Sequence, residues 1–307
     1  MKTRVSDIPI EDLTKLLASN GLVLDIQHVV VRVSSSIPKF KTDFRHMYGD
    51  FLVLPDCAFA DFHIQIVEER SFLPKNRYAH FFLDGIKMFT PLPTWQCFVM
   101  FEWGLNWCLA AHSHQFLIIH AAVIEQGGHA AIIPAPPGSG KSTLCAGLVN
   151  RGWRLLSDEL ALYDKASGLV YGMARPINLK NESIKIIQEF APEAEFTPTV
   201  PNTSKGTVAL MRPPRESVQR ISESARPKWI ICPKYLENSA PVLEHHSKAL
   251  TFMLLAEQSF NYDIYGEAGF EAVRDLIDSC RDTYHFTYSS LSDAETTFSG
   301  LLSEDAN

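Results

Sequence analysis

The chain has no paired cysteine motif. Its six cysteines, Cys57, Cys97, Cys108, Cys145, Cys232 and Cys280, are scattered with no CxxC spacing. That argues against a zinc ribbon or a redox pair and points to reduced, mostly buried thiols, as in a cytoplasmic protein. The first residues, "MKTRVSDIPIEDL", lack the apolar core of a signal peptide. The most apolar long run, "FEWGLNWCLAAHSHQFLIIHAAVI", is interrupted by Asn106, His112, His114, Gln115 and His120, which argues against a membrane span. Basic charge is also short. Lys and Arg total 28 against 35 Asp and Glu, a net charge of -7. An acidic chain repels phosphate backbones and anionic lipid, so neither nucleic acid nor membrane is an expected partner. There is no internal repeat and no low-complexity tract. His112, His114, His129, His245 and His246 fall in no metal-ligand spacing. What remains is a globular composition, 46% hydrophobic and 21% charged over 307 residues, enough for a large core.

Two prolines in "FTPLPTWQ" interrupt both helix and strand, and this joint divides residues 1–90 from 91–307. The first part reads as β-rich and irregular. "HVVVRVSSS" and "FHIQIVEE" alternate like half-buried strands, and "EDLTKLLASNG" reads as a short helix. "FVMFEWGLNWCLAAHSHQ" is expected to be a buried helix whose work is core packing. Then follow strand "FLIIHAAVIE", turn "QGGH", strand "AAIIPA", helix "SGKSTLCAGLVNRG" and a strand opening "WRLLSDELALYD". "NESIKIIQEF" reads as a helix, "APEAEFTPTVPNTSKG" as a surface loop and "WIICPKYL" as a buried strand. Helices near 250–260 and 267–280, strand "YHFTYSS" and a last helix after Asp293 complete an α/β chain.

One stretch carries chemistry. Ala135-Pro-Pro-Gly-Ser-Gly-Lys141-Ser142 matches a phosphate-binding loop except for its first glycine, and it lies between an apolar strand and a helix. Pro136 and Pro137 have no N–H and can only stiffen the approach. The amides from Gly138 through Ser139, Gly140, Lys141, Ser142 and Thr143 can cradle phosphate, helped by the helix dipole. Lys141 would reach the β- and γ-phosphates, and Ser142 would ligate Mg²⁺.

Two neighbours frame the loop. A strand–helix–strand unit is normally parallel, so Asp158 and Glu159 at the end of "RGWRLLSDE" should return beside the loop. There they can serve as Mg²⁺ ligand and general base; the alternative is a solvated acidic turn. Pairing across the "QGGH" hairpin sets His120 opposite Pro134 or Ala135. From there its imidazole could hydrogen-bond Asp158 or touch phosphate, or it could be a core histidine. Arg175, Asn178 and Lys180 could contact phosphate or substrate, or cap the helix that follows. Lys205 and Arg212 could close over a nucleotide or belong to a mobile basic loop.

"IHAAVIEQGGHAAIIPAPPGSGKSTLCAGLVNRGWRLLSDEL" resembles the catalytic core of HPr kinase/phosphorylase. "ARPINLKNESI", "SKGTVALMRPP" and "ARPKWIICPKY" resemble its divergent branch, HPr kinase-related kinase A. The resemblance implies a kinase core with the fold of the phosphoenolpyruvate carboxykinase C-terminal domain, using ATP and Mg²⁺. Asp158 then matches the general base that deprotonates a serine hydroxyl, and His120 the histidine that supports it. Glu159 stands at the second aspartate, near Mg²⁺. The family's second signature is not found around "VYGMARPINLKNES", so HPr itself is not implied as acceptor. Related proteins phosphorylate peptide or protein serines, some beside peptide-binding partners of the PqqD type, and the kinases are homo-oligomers. A small-molecule kinase on the same scaffold, or a nucleotide-controlled binding module, are the alternatives.

Overall fold

The computed structural model describes residues 3–56, 58–70, 77–136 and 138–303. Cys57 and Pro137 therefore lie outside the described residues; the other five cysteines are free and buried. Among the described residues no helix is long and apolar enough to cross a membrane.

The N-terminal part folds as an eight-stranded sheet. Val30–Ser35 runs parallel to Phe62–Arg70, and the other pairs are antiparallel. Two helices accompany it, Ile10–Ala18 as expected and Pro38–Tyr48, which the sequence reading missed inside a region taken as β-rich. Its signal was present: Phe40, Phe44, Met47 and Tyr48 are spaced for one helical face, and all four are buried. Pro38 sits at the first helical position, where its missing N–H costs nothing.

The helix Cys97–His112 lies against this sheet. A Cβ built on Gly104 would come 2.2 Å from the Phe81 ring, so the glycine permits the close approach. Phe98, Phe101, Leu105 and Leu109 of the helix join Phe40, Phe44 and Phe81 in one apolar core, which continues into Leu160, Leu162 and Met173.

A second eight-stranded sheet holds the motifs. Its order is Leu169–Tyr171, Leu160–Asp164, Leu117–Gln126, His129–Pro134, Arg226–Tyr235, Asp282–Tyr288, Val242–His245, with Arg154–Ser157 also on Leu117–Gln126. His129–Pro134, Arg226–Tyr235 and Asp282–Tyr288 run parallel. Alternate strand residues face opposite layers. Ala131 and Ile133 meet the helices Lys141–Val149 and Leu291–Ser303, while Ala130 and Ile132 meet Lys248–Glu257 and Glu267–Ser279. Burial on both faces explains why these strands read as continuous apolar runs.

A three-stranded sheet, Ile177–Lys180, Gly206–Met211 and Val200–Thr203, caps the site end. The last of these falls where a surface loop was expected. The Pro- and Thr-rich composition hid a strand whose Val200 is buried with Val99 and Val208. The fold is mixed α/β with mixed sheets. Because Gly104 is closed in by a buried aromatic ring, Gly104→Ala should cost about 1–3 kcal/mol. Thermal denaturation would read this, and an unchanged midpoint would mean the helix can move off the sheet freely.

Candidate functional site

The site is assembled by one strand with two neighbours. Leu117–Gln126 is antiparallel to His129–Pro134 on one side and to Arg154–Ser157 and Leu160–Asp164 on the other. The latter strands are thus parallel to His129–Pro134, as a strand–helix–strand unit should be, but with the first hairpin strand between them. Pro134 pairs with Ala121, so one step further sets His120 against Ala135, and His120 also pairs with Leu160. Arg154–Ser157 carries a register shift after Leu155. The chain then bends at Asp158-Glu159 instead of running straight through "WRLLSDELALYD".

The glycine turn follows Pro136. Gly138 and Gly140 have φ of 88° and 90°, a region that disfavours side chains. Gly140 caps the helix Lys141–Val149. It is held from behind: the Tyr288 hydroxyl donates to its carbonyl at 3.1 Å, and the Tyr235 amide donates to the Ser139 carbonyl at 3.1 Å. A Cβ at Gly140 would come 2.5 Å from that hydroxyl. Neither tyrosine was singled out from the sequence, because they arrive from strands far along the chain.

Lys141 is buried, and its ammonium has no hydrogen-bond partner. The nearest carboxylate oxygen is Glu159 Oε2 at 3.8 Å. His120 Nε2 lies 3.0 Å from the same Oε2. The histidine thus supports Glu159, where Asp158 was the expected partner. The reason is local: the chain bends at these two adjacent acids, which sends them apart, and Asp158 turns inward. There its Oδ2 accepts the Asn178 amide at 3.2 Å, while Oδ1 is buried and unpartnered.

The two acids are driven in opposite directions. Burial, then the neighbouring Glu159 charge, pushes Asp158 up to about 6, partly offset by Lys141, the Asn178 amide and Ser142. Burial also pushes Glu159 upward, but the His120 hydrogen bond with the Lys141, His120 and Lys205 charges outweighs it and holds Glu159 below its ordinary range.

The remaining candidates divide. Ser139 presents a buried hydroxyl without a partner, Ser142 is within reach of Asp158, and Thr143 is half-buried in the first helical turn. Lys205 sits on the turn into Gly206–Met211 with its ammonium 4.6 Å from the Trp103 ring centre. Desolvation, then the Lys180 and Lys141 charges, lowers it, with Glu159 opposing, so these groups share one field. The Lys180 backbone is committed to a Ser183 turn, the Lys180 amide donating to the Ser183 hydroxyl at 2.8 Å. Asn178 is buried with its carbonyl oxygen unpartnered. Arg175 is buried too. It donates to Glu102 at 3.1 Å and to Asn106, leaving Nε free of partners. A small cavity lies between Arg175, Glu102, Asn106, Asn178 and Asp158. Arg212 is not brought in. Its guanidinium is spent on Asp50 at 2.8 Å and Glu195 at 3.0 Å. Glu102, Asn106 and Trp103 were missed because their helix reads as core packing; a lone glutamate in so apolar a run was the signal.

A folded-state value above the unfolded 3.8 means that Asp158 favours folding in its protonated form. That contribution is complete below about pH 3.8 and is lost as pH rises through about 6. Asp158→Asn keeps the Asn178 contact without the charge. It should be more stable than wild type above pH 6, with the gap closing by pH 4. A gap in melting temperature that stays constant over this range would mean that Asp158 is not a strained carboxylate.

No family model matches the sequence, and no curated protein matches it. Among solved structures, the chain is similar to the HPr(Ser) kinase/phosphatase from Coxiella burnetii. The identity is 10% and the TM-score 0.27, over 61% of this chain and 98% of that one. At that score the two share too little geometry for residues to be carried from one to the other.

Proposed function

We propose that the protein is an ATP- and Mg²⁺-dependent kinase that transfers the γ-phosphoryl group to a hydroxyl, that of a serine in a protein or peptide. The observation that carries this reading is the buried Lys141 ammonium. It lacks a hydrogen-bond partner and lies beside a glycine turn, 3.8 Å from Glu159 and within the field of Asp158, which is pushed up to about 6. An orphaned ammonium at the start of a helix is matched by a phosphate oxygen, which would supply the missing acceptors.

The residues fit the two groups. Among the described residues no three His, Cys, Asp or Glu side chains form a metal cluster. Mg²⁺ does not require one, since it is usually held by one or two carboxylates plus substrate phosphates. Glu159 and the Ser142 hydroxyl would be the donors for it, which leaves the unpartnered Oδ1 of Asp158 for the proton; when bound it would neutralise charge on the phosphates. Lys141 and the amides of Gly138 to Thr143 would hold the phosphates, with Lys205 drawn from Trp103 to the added negative charge.

Asp158 is the general base. A carboxylate raised toward neutrality is a better proton acceptor while still ionised at pH 7. It takes the serine proton as the serine oxygen bonds to the γ-phosphorus and the bond to the ADP oxygen breaks. His120 holds Glu159 in place and so acts through it. The reading is that of an HPr kinase-like core on the phosphoenolpyruvate carboxykinase scaffold, with His120 on Glu159 where the resemblance implies Asp158.

Two variants test the reading. Lys141→Met should weaken ATP binding about tenfold or more in calorimetry, since a charge-assisted contact is lost. Asp158→Asn should keep ATP affinity and lose about 10²–10⁴-fold in transfer of label from γ-labelled ATP to serine peptides. Near-normal transfer by Asp158→Asn would remove it as the base.

A further inference from the structure

A cavity of about 1110 Å³ opens against the other side of the glycine turn, with Gly138 and Ser139 in its wall. It runs along the helix Lys248–Glu257. Past the end of that helix the chain returns to the His120 strand. The His120 amide donates to the Gln258 carbonyl at 2.7 Å, Ser259 bridges to Ile119, and the Phe260 ring lies 5.8 Å from the His120 ring. One end of the groove therefore lies beside the strand that carries His120, and its wall shares Gly138 and Ser139 with the glycine turn.

The lining is chemically divided. Leu250 and Met253 face the groove 60% and 67% exposed. Phe260 and Ile264, 50% and 67% exposed, stand just beyond. An apolar cluster of this kind marks a binding surface, and methionine adapts to varied partners. Glu257 and Asp263 lie at the His120 end, and among the described residues neither carboxylate forms an ion pair. His246 and His285 line the far end, with Lys234 on the strand wall.

We propose that this groove receives the acceptor as an extended peptide segment, with an apolar side chain seated on Leu250 and Met253 and a lysine or arginine at Glu257 and Asp263, close to the hydroxyl that is phosphorylated. The proposal rests on the kinase reading above. Shape separates the occupants: small-molecule pockets enclose most of their ligand, whereas this groove is open along the helix Lys248–Glu257. Charge sets the direction of the segment, because unpaired carboxylates attract its basic residue toward the His120 end.

The probe is a positional-scanning library of serine peptides with γ-labelled ATP and the full chain. Label should concentrate on peptides with Leu, Ile, Met or Phe at one flanking position and Lys or Arg at another. Met253→Glu, at an exposed position, should raise the KM of a selected peptide about tenfold, as loss of an anchor does. Its melting temperature, its KM for ATP and its kcat should be unchanged. Glu257→Lys should reverse the preference for a basic residue. Uniform labelling across the library, or an unchanged peptide KM in Met253→Glu, overturns the proposal. So does ATP binding through Lys141 with label passing only to small hydroxy compounds, which leaves the phosphate site standing. A wild-type chain that binds no ATP sinks the kinase reading itself.

Discussion

The site depends on a strand, Leu117–Gln126, that pairs antiparallel on both edges. The strand leading to the glycine turn and the strand leading to the acids both run opposite to it, so they end at the same edge of the sheet. A one-residue slip of either would exchange the side chains packed into the two buried layers. His120 sits on the central strand at that edge, between the turn and the bend. A single pairing pattern therefore brings together Lys141, His120, Asp158 and Glu159, which span 39 positions of the chain.

Charge at this edge is distributed unequally. Two adjacent carboxylates are kept from water, and both are penalised for it. Glu159 collects the compensating contacts, with His120 at 3.0 Å and Lys141 at 3.8 Å. Asp158 is left with a backbone amide and an unused oxygen. The environments separate two chemically similar acids into one that stays ionised and one poised to take a proton, a pattern that assigns roles in acid–base sites. It also stores instability, since buried polar atoms without partners cost free energy in the absence of a ligand.

The N-terminal sheet is tied to this edge through buried polar contacts. The Tyr48 hydroxyl donates to Glu102 at 2.6 Å, and Arg175 donates to the other oxygen of Glu102 at 3.1 Å. Burial pushes Glu102 up, and the Arg175 charge opposes that. Losing Glu102 or Arg175 leaves the other charge buried without its counter-ion, which is far costlier than the pair's net worth. Arg175 precedes Asn178, whose amide holds Asp158, so the helix that reads as plain core also fixes one wall of the site.

Most elements around the loop could be read from the chain. Apolar runs with no polar face marked buried strands, glycines at 138 and 140 marked a turn into a helix, and hairpin symmetry located His120 to within a residue. These are local properties: backbone permissiveness, period and turn length. What stayed hidden was every fact set by elements distant in sequence. Tyr288 arrives behind Gly140 from 148 positions away, and Arg212 was withdrawn from the site by Asp50, 162 positions away. His120 was read as the partner of Asp158 because sequence order cannot say which of two neighbouring acids faces inward. The residue types and their order determined which groups are available at one edge of a sheet. Only the tertiary structure decided which were buried and which partner each received, because desolvation and charge pairing depend on distances through space.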